Sequence, residues 1–290
     1  MIAMNYIVKR IREYLALSQT ELAEKLGTSF ATINRCENGH NKLSKLAQDN
    51  LLKLCDEYQV PAFDFILDKI AIAEKNCEIP SNRMALYHGS KSGIEGEIQA
   101  SSRSECDFGR GFYMGTVPRQ PLTLICSYEK SKFYIVSAPR ELKKSFTFQD
   151  DLEWAMFIAC NRKKIDAAGI SALYRKYRDL TKGCDFVIGS IANDRMYRVL
   201  DDFFEGVITD AALIACLSAL KLGRQYVCLN DDACQQIRIE KEIPLSYFEK
   251  EIIQKVSAEY RRKGVALADE LYKKHRREGK YFDEILNEAE

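Results

Sequence analysis

The chain has 290 residues, enough for two domains of ordinary size. Its 29% charged and 46% hydrophobic residues are those of a folded globular chain, which excludes disorder as a global description. Forty-three basic residues against 42 acidic ones leave a net charge of +1, which excludes a globally electrostatic nucleic-acid or membrane binder and leaves only local patches open. No apolar run approaches the roughly 18 residues of a transmembrane helix. The opening Met1-Ile2-Ala3-Met4-Asn5-Tyr6 lacks the basic and apolar regions of a signal peptide. No two of the ten cysteines form C-x-x-C, and only three histidines are present, so no metal site is expected. Buried, reduced thiols in a cytoplasmic protein are the expectation.

In chain order, residues 5–75 read as helices, because apolar residues recur at helical spacing and Gly and Pro are sparse. The pattern changes at Ile79-Pro80-Ser81-Asn82, which marks a boundary. Short β-like runs follow at 84–88, 112–116, 133–137, 185–191, 225–229 and 237–239. Helical patterns separate them at 150–162, 166–179, 194–205 and 210–221. Asp150 reads as the cap of the first of these, with Glu153 as its box partner and Trp154 as core. Residues 246–290 read as one or two charged surface helices, and the basic run 273–277 as a solvated face. The expected units are a module at 1–78, a domain at 83–245 and C-terminal amphipathic helices at 246–290.

Within the first module, Ser18-Gln19-Thr20-Glu21 is a capping box. Leu22, Ala23 and Leu26 give that helix an apolar face, and Gly27 permits the left-handed turn that ends it. Thr28-Ser29 opens a second short helix, which Glu37-Asn38-Gly39 closes. Two short helices joined by a tight turn are the geometry that lays a reading helix in the DNA major groove. Ser29, Phe30, Thr32, Asn34 and Arg35 are expected to face outward, with Gln19 placed to hold a phosphate at a helix end. Residues 5–70 resemble the Xre-type, lambda-repressor-like DNA-binding domains, through the stretches 17–23 and 34–39. The resemblance implies a five-helix module that binds DNA through residues 18–39, usually as a homodimer on paired half-sites. Ten basic and ten acidic residues in 1–76 leave the module neutral, so docking to a protein partner, such as an antitoxin, stands beside DNA binding.

In the second module, Tyr87-His88-Gly89-Ser90 is a strand running into a glycine turn. Residues 107–116, Asp-Phe-Gly-Arg-Gly-Phe-Tyr-Met-Gly-Thr, place two glycines before an aromatic strand carrying Tyr113. Glycine allows close approach of backbone to a ligand, and an exposed tyrosine face stacks on a planar ring. Together and in this order the segments resemble the catalytic domain of ADP-ribosyltransferases of the poly(ADP-ribose) polymerase and diphtheria-toxin branch, over about 84–240. That branch carries His, Tyr and Glu on three strands, and here Gln225 stands where the glutamate is expected. The resemblance implies an α+β domain of split, mostly antiparallel sheets with a helical insert. It implies NAD as substrate or ligand and no metal. His88 would bond the adenosine ribose, Gly89 would hold the nicotinamide carboxamide with Ser90 beside it, and Tyr113 would stack on nicotinamide, with Gly111 in the frame. Gln225 would accept a bond from the nicotinamide ribose but cannot supply the glutamate's charge. Glu205, Asp231 and Asp232 are the carboxylates considered for that charge. The expected function is a mono-ADP-ribosyltransferase joined to a DNA-binding module, as in a toxin or defence effector that represses its own operon. The alternative is a non-enzymatic regulator that senses NAD or ADP-ribose.

Overall fold

The computed structural model describes residues 4–165, 172–191, 194–220 and 223–288. The start of the helix expected at 166–179 and residues 192–193 of the loop after the strand at 185–191 lie outside the described residues.

Five helices form the first module: α1 (Met4–Tyr14), α2 (Gln19–Leu26), α3 (Phe30–Glu37), α4 (Lys45–Glu57) and α5 (Ala62–Lys75). The capping box at Ser18 and Glu21 is present in both directions, and Gly27 closes α2 at φ 65°. Ser29 caps α3 by accepting from the Thr32 amide. Ile7, Ile11, Leu22, Leu26, Ile33, Leu51 and Ile66 turn inward and are fully buried.

The second module starts with β1 (Arg83–Ser90), β2 (Phe112–Gly115), α6 (Arg119–Ile125), β3 (Lys132–Pro139) and β4 (Ser145–Thr147). It continues with α7 (Leu152–Asn161), α8 (Ala172–Asp179), β5 (Phe186–Ser190), α9 (Asp194–Phe204) and α10 (Asp210–Leu220). It ends with β6 (Arg224–Cys228), α11 (Asp231–Cys234), β7 (Arg238–Ile243), α12 (Tyr247–His275) and α13 (Phe282–Glu288). The strands form one seven-stranded sheet in the order β4-β5-β6-β2-β1-β3-β7. Only the β4–β5 pairing is parallel. The expected split sheets are therefore corrected to a single mixed sheet. The expectation has a physical trace, however. β1 pairs with β3 along its whole length, from Arg83 to Ser90, but meets β2 only at Tyr87 and Gly115. The two halves of the sheet thus hinge on one residue pair and splay apart toward Gly89 and Phe112.

Alternation along the strands sorts side chains to two faces. Tyr87, Tyr113 and Gln225 share one face through the registers Tyr87–Gly115, Tyr113–Val227 and Gly115–Gln225. Over β1 and β3 this face packs on the helical module and α6, in a core that joins Ile66 and Ile70 to Phe133, Ile135 and Phe248. Over β5 and β6 it packs on α7, α9 and α10, around Trp154, Leu200 and Phe203. Trp154 is core, as expected, with no exposed surface. The cap of α7 is Asp151, which accepts from the Trp154 amide at 3.0 Å, not Asp150. Asp150 instead accepts from the Ser190 hydroxyl and lies 3.7 Å from Arg224.

The C-terminal region holds two helices, and the 29-residue α12 joins the two modules. It packs on α4, α5 and α6 at its start and on α9 and α10 farther along. Its Glu249 forms an ion pair with Lys69 of α5, each side chain only 1% exposed. A helix that spans both cores needs an apolar stripe on changing sides, so its polarity pattern reads as solvent-facing when no partner is in view. All ten cysteines are free thiols, seven of them buried.

Candidate functional site

The splayed seam between β1 and β2 opens into two cavities. The first, of about 440 Å³, lies between α6 and the segment 103–107 and is lined by His88, Gly89, Tyr113, Gln225, Asp107 and Arg162 among others. The second, of about 480 Å³, is walled by the 90–102 loop and includes Ser90 and Gly111. His88, Gly89, Lys91 and Tyr113 line both, so the two are lobes of one groove meeting at the seam. The sequence-predicted His88, Gly89, Tyr113 and Gln225 therefore converge, from three strands, on the first lobe.

His88 supplies the bond that the missing β1–β2 ladder would have made. Its Nδ1 lies 2.7 Å from the Tyr113 carbonyl oxygen, and its ring stacks on Phe112 with centroids 4.2 Å apart. A carbonyl only accepts, so Nδ1 carries the hydrogen. Burial disfavours the imidazolium more than the Tyr113 carbonyl favours it, and the pKa is pushed down to about 4. The neutral ring leaves Nε2 as an acceptor.

Tyr113 is held at both ends. Its hydroxyl donates to the Gly109 carbonyl at 2.7 Å and accepts from the Phe108 amide at 3.0 Å. Gly109 makes this turn at φ 76°. The ring is thereby fixed as a wall of both lobes. At Gly111 the glycine has a packing reason, since a Cβ there would sit 2.5 Å from Val227 Cγ1 and 2.6 Å from the Cys228 carbonyl. A Cβ on Gly89 would meet Pro121 O and Ile125 Cγ2 of α6 at 2.8 Å. Ser90 closes its own turn, donating to Gly93 O at 2.8 Å and accepting from Gly93 N at 3.0 Å.

Gln225 is 3% exposed and donates from Nε2 to the Ser190 carbonyl at 3.1 Å. Asp107 lines the same lobe. Asp107 is the functional candidate that the sequence reading passed over. It is 6% exposed, and Arg162 donates to its Oδ1 from both Nε, at 3.0 Å, and Nη2, at 2.6 Å. Burial pushes its carboxyl above the usual range, against the pull of Arg162 and Gln225. The signal lies in the run 107–116, where a carboxylate stands directly before Phe108-Gly109. The three carboxylates proposed from sequence stay outside the groove. Asp231 accepts from the Ala100 amide at 2.9 Å, Asp232 lies in the first turn of α11, and Glu205 is exposed after α9.

In the first module, Phe30 is 50% exposed and Arg35 is exposed on α3. The other four named residues have local partners. Ser29 caps α3 and lies 2.9 Å from the Thr32 hydroxyl, and Asn34 Oδ1 accepts from Asn38 Nδ2 at 2.5 Å. Gln19 Nε2 donates to Glu37 at 2.8 Å, and Glu37 also takes two bonds from Arg12. This network fixes α2 against α3. The exposed face of α3 is left to Phe30 and Arg35, with Thr32 and Asn34 half-buried beside them.

Helical capping, the tight Gly27 turn and an exposed α3 define a helix-turn-helix of the DNA-binding kind, and residues 8–65 match the family described as Helix-turn-helix. Residues 84–239, more than half of the chain, match the family described as Protein of unknown function (DUF3990), and the chain belongs to that family. No curated protein and no solved structure matches the chain. Among the described residues no helix is long and apolar enough to cross a membrane, and no group of three or more metal-ligating side chains is present.

Proposed function

We propose that this chain is a DNA-binding regulator whose second domain takes NAD in the two-lobed groove and transfers its ADP-ribose to an acceptor. The observation that carries the reading is the meeting of His88, Gly89, Tyr113 and Gln225 in one cavity at the splayed seam. The groove's chemistry fits the molecule. The His88 Nε2 acceptor suits a ribose hydroxyl, the fixed Tyr113 ring suits a planar pyridinium, and each lobe falls within the ~300–1,000 Å³ typical of small-molecule sites. Lys91, at the junction of the lobes, is the cation available to the pyrophosphate between the two nucleosides. In the reaction the bond between the ribose carbon and the nicotinamide nitrogen breaks, its electron pair leaving on nicotinamide. A lone pair of the acceptor then bonds that carbon, and the acceptor's proton passes to solvent.

The test is mass spectrometry of the full chain incubated with NAD and a nucleic-acid and protein extract. Nicotinamide release that vanishes in Tyr113→Ala, together with an ADP-ribose adduct, supports transfer. NAD neither bound nor consumed overturns the reading. A second reading, an NAD-sensing regulator without turnover, draws on the link between groove and helix-turn-helix. Tyr87, next to His88 on β1, donates its hydroxyl to Glu74 of α5. Binding without nicotinamide release, with DNA affinity that changes with NAD, is the outcome that selects it.

A further inference from the structure

The polar side chains expected to read DNA from α3 are largely committed inside the module. Ser29 Oγ accepts from the Thr32 amide and lies 2.9 Å from the Thr32 hydroxyl. Asn34 Oδ1 accepts from Asn38 Nδ2 at 2.5 Å, so the acceptor and donor with which an asparagine grips adenine are not both free. Gln19 Nε2 is likewise turned to Glu37. Phe30 is the opposite case. It is the first residue of α3 and is 50% exposed. In a helix the Cα–Cβ bond tilts toward the amino end, so a side chain at the first position reaches past that end. The amino end of a reading helix is the part that meets the base edges. A phenyl ring has no hydrogen-bond donor or acceptor to offer a base or a phosphate. What the major groove offers it is the C5 methyl of thymine.

We propose that Phe30 is a specificity residue of the helix-turn-helix, reading a thymine through its C5 methyl group. The inference rests on the DNA-binding part of the function proposed above. It assigns the reading head a contact made by excluding water, while the polar neighbours are spent on building the module. The contact carries no charge, so its contribution does not change with salt as that of phosphate contacts does.

The test begins with selection of duplexes from a random library by the full chain at low salt, where phosphate contacts hold most strongly. In the selected duplex each thymine is then replaced, one at a time, by deoxyuridine, which pairs in the same way and lacks only the methyl. Binding is read by fluorescence anisotropy. Replacement at one position of a half-site is expected to weaken binding about fourfold, the value of one methyl group removed from water, with the same ratio at higher salt. In Phe30→Ala the two duplexes are expected to bind alike. The exposed position leaves the fold of this variant intact, which circular dichroism checks. A selected duplex in which no replacement weakens binding overturns the proposal, as does a ratio that persists in Phe30→Ala. A wild-type chain that enriches no duplex overturns the DNA-binding reading itself and leaves Phe30 as an aromatic anchor for a protein partner.

Discussion

The His88 imidazole bridges β1 to β2 through Nδ1 and lines both lobes of the groove, and the neutral ring is the form that keeps Nε2 an acceptor. The folded pKa of about 4 lies below the ordinary 6.5. Between those values the unfolded chain binds a proton that the folded chain does not, so stability falls as pH drops from about 6.5 toward 4. The slope from this residue is at most about 1.4 kcal/mol per pH unit. His88→Gln removes the titration while keeping a side-chain donor for the Tyr113 carbonyl. Urea midpoints at pH 7 and pH 5 should therefore differ more for the wild type than for the variant; equal differences would sink the assignment. His88 and Tyr113 were legible in the sequence because each sits within a few residues of glycines that shape its own backbone. Asp107 was not, because it lies in a loop and its partner Arg162 comes 55 positions later.

Helix α6 is the element that makes the first lobe a cavity. Its Gln120, Pro121, Leu124 and Ile125 form one wall, and the absent side chain of Gly89 lets it lie directly on β1. Gly89→Ala places a methyl 2.8 Å from Pro121 O and Ile125 Cγ2, neither of which yields without moving the helix. A loss of ~1–3 kcal/mol is expected, as for other overpacked sites, read as a lower melting temperature together with weaker NAD binding. A variant as stable as the wild type would show that α6 is not seated by this contact. The strand runs expected from sequence fall on β1, β2, β3, β5, β6 and β7, but α6, α11 and β4 were not expected. At seven residues with an internal proline, α6 carries too little periodicity to register, and three-residue β4 shows no alternation. The single-sheet topology was also out of reach, since only the Tyr87–Gly115 pair joins the two halves.

Across the whole molecule, the two modules share a core and a buried charge pair. Lys69 and Glu249 lie in different modules by sequence and are each 1% exposed. Lys69→Met strands Glu249 in an apolar setting and should cost ~3–5 kcal/mol, the usual consequence of orphaning a buried charge. Lys69→Met/Glu249→Leu, which removes both charges, should recover most of it. Denaturation curves of the three chains check this, and a single variant as stable as the wild type would mean that the pair is not sealed from water. The modules were legible separately, one from its capping box and glycine turn, the other from its strands. Their union was not, because the residues of α12 that bury against both, Phe248, Ile252 and Ala268 among them, are too sparse to predict a partner.

That same helix imposes an order on biosynthesis. The helix-turn-helix leaves the ribosome first, but the carboxylate that neutralises Lys69 comes 180 residues later. At ~5–20 residues per second, the nascent module waits about 10–40 s with an uncompensated ammonium and an uncovered apolar face. The burial of Lys69 is therefore postponed until α12 is made. A chain interrupted before α12 would lack both the carboxylate that neutralises Lys69 and the apolar side chains that cover the first module, and would be open to chaperones and proteases.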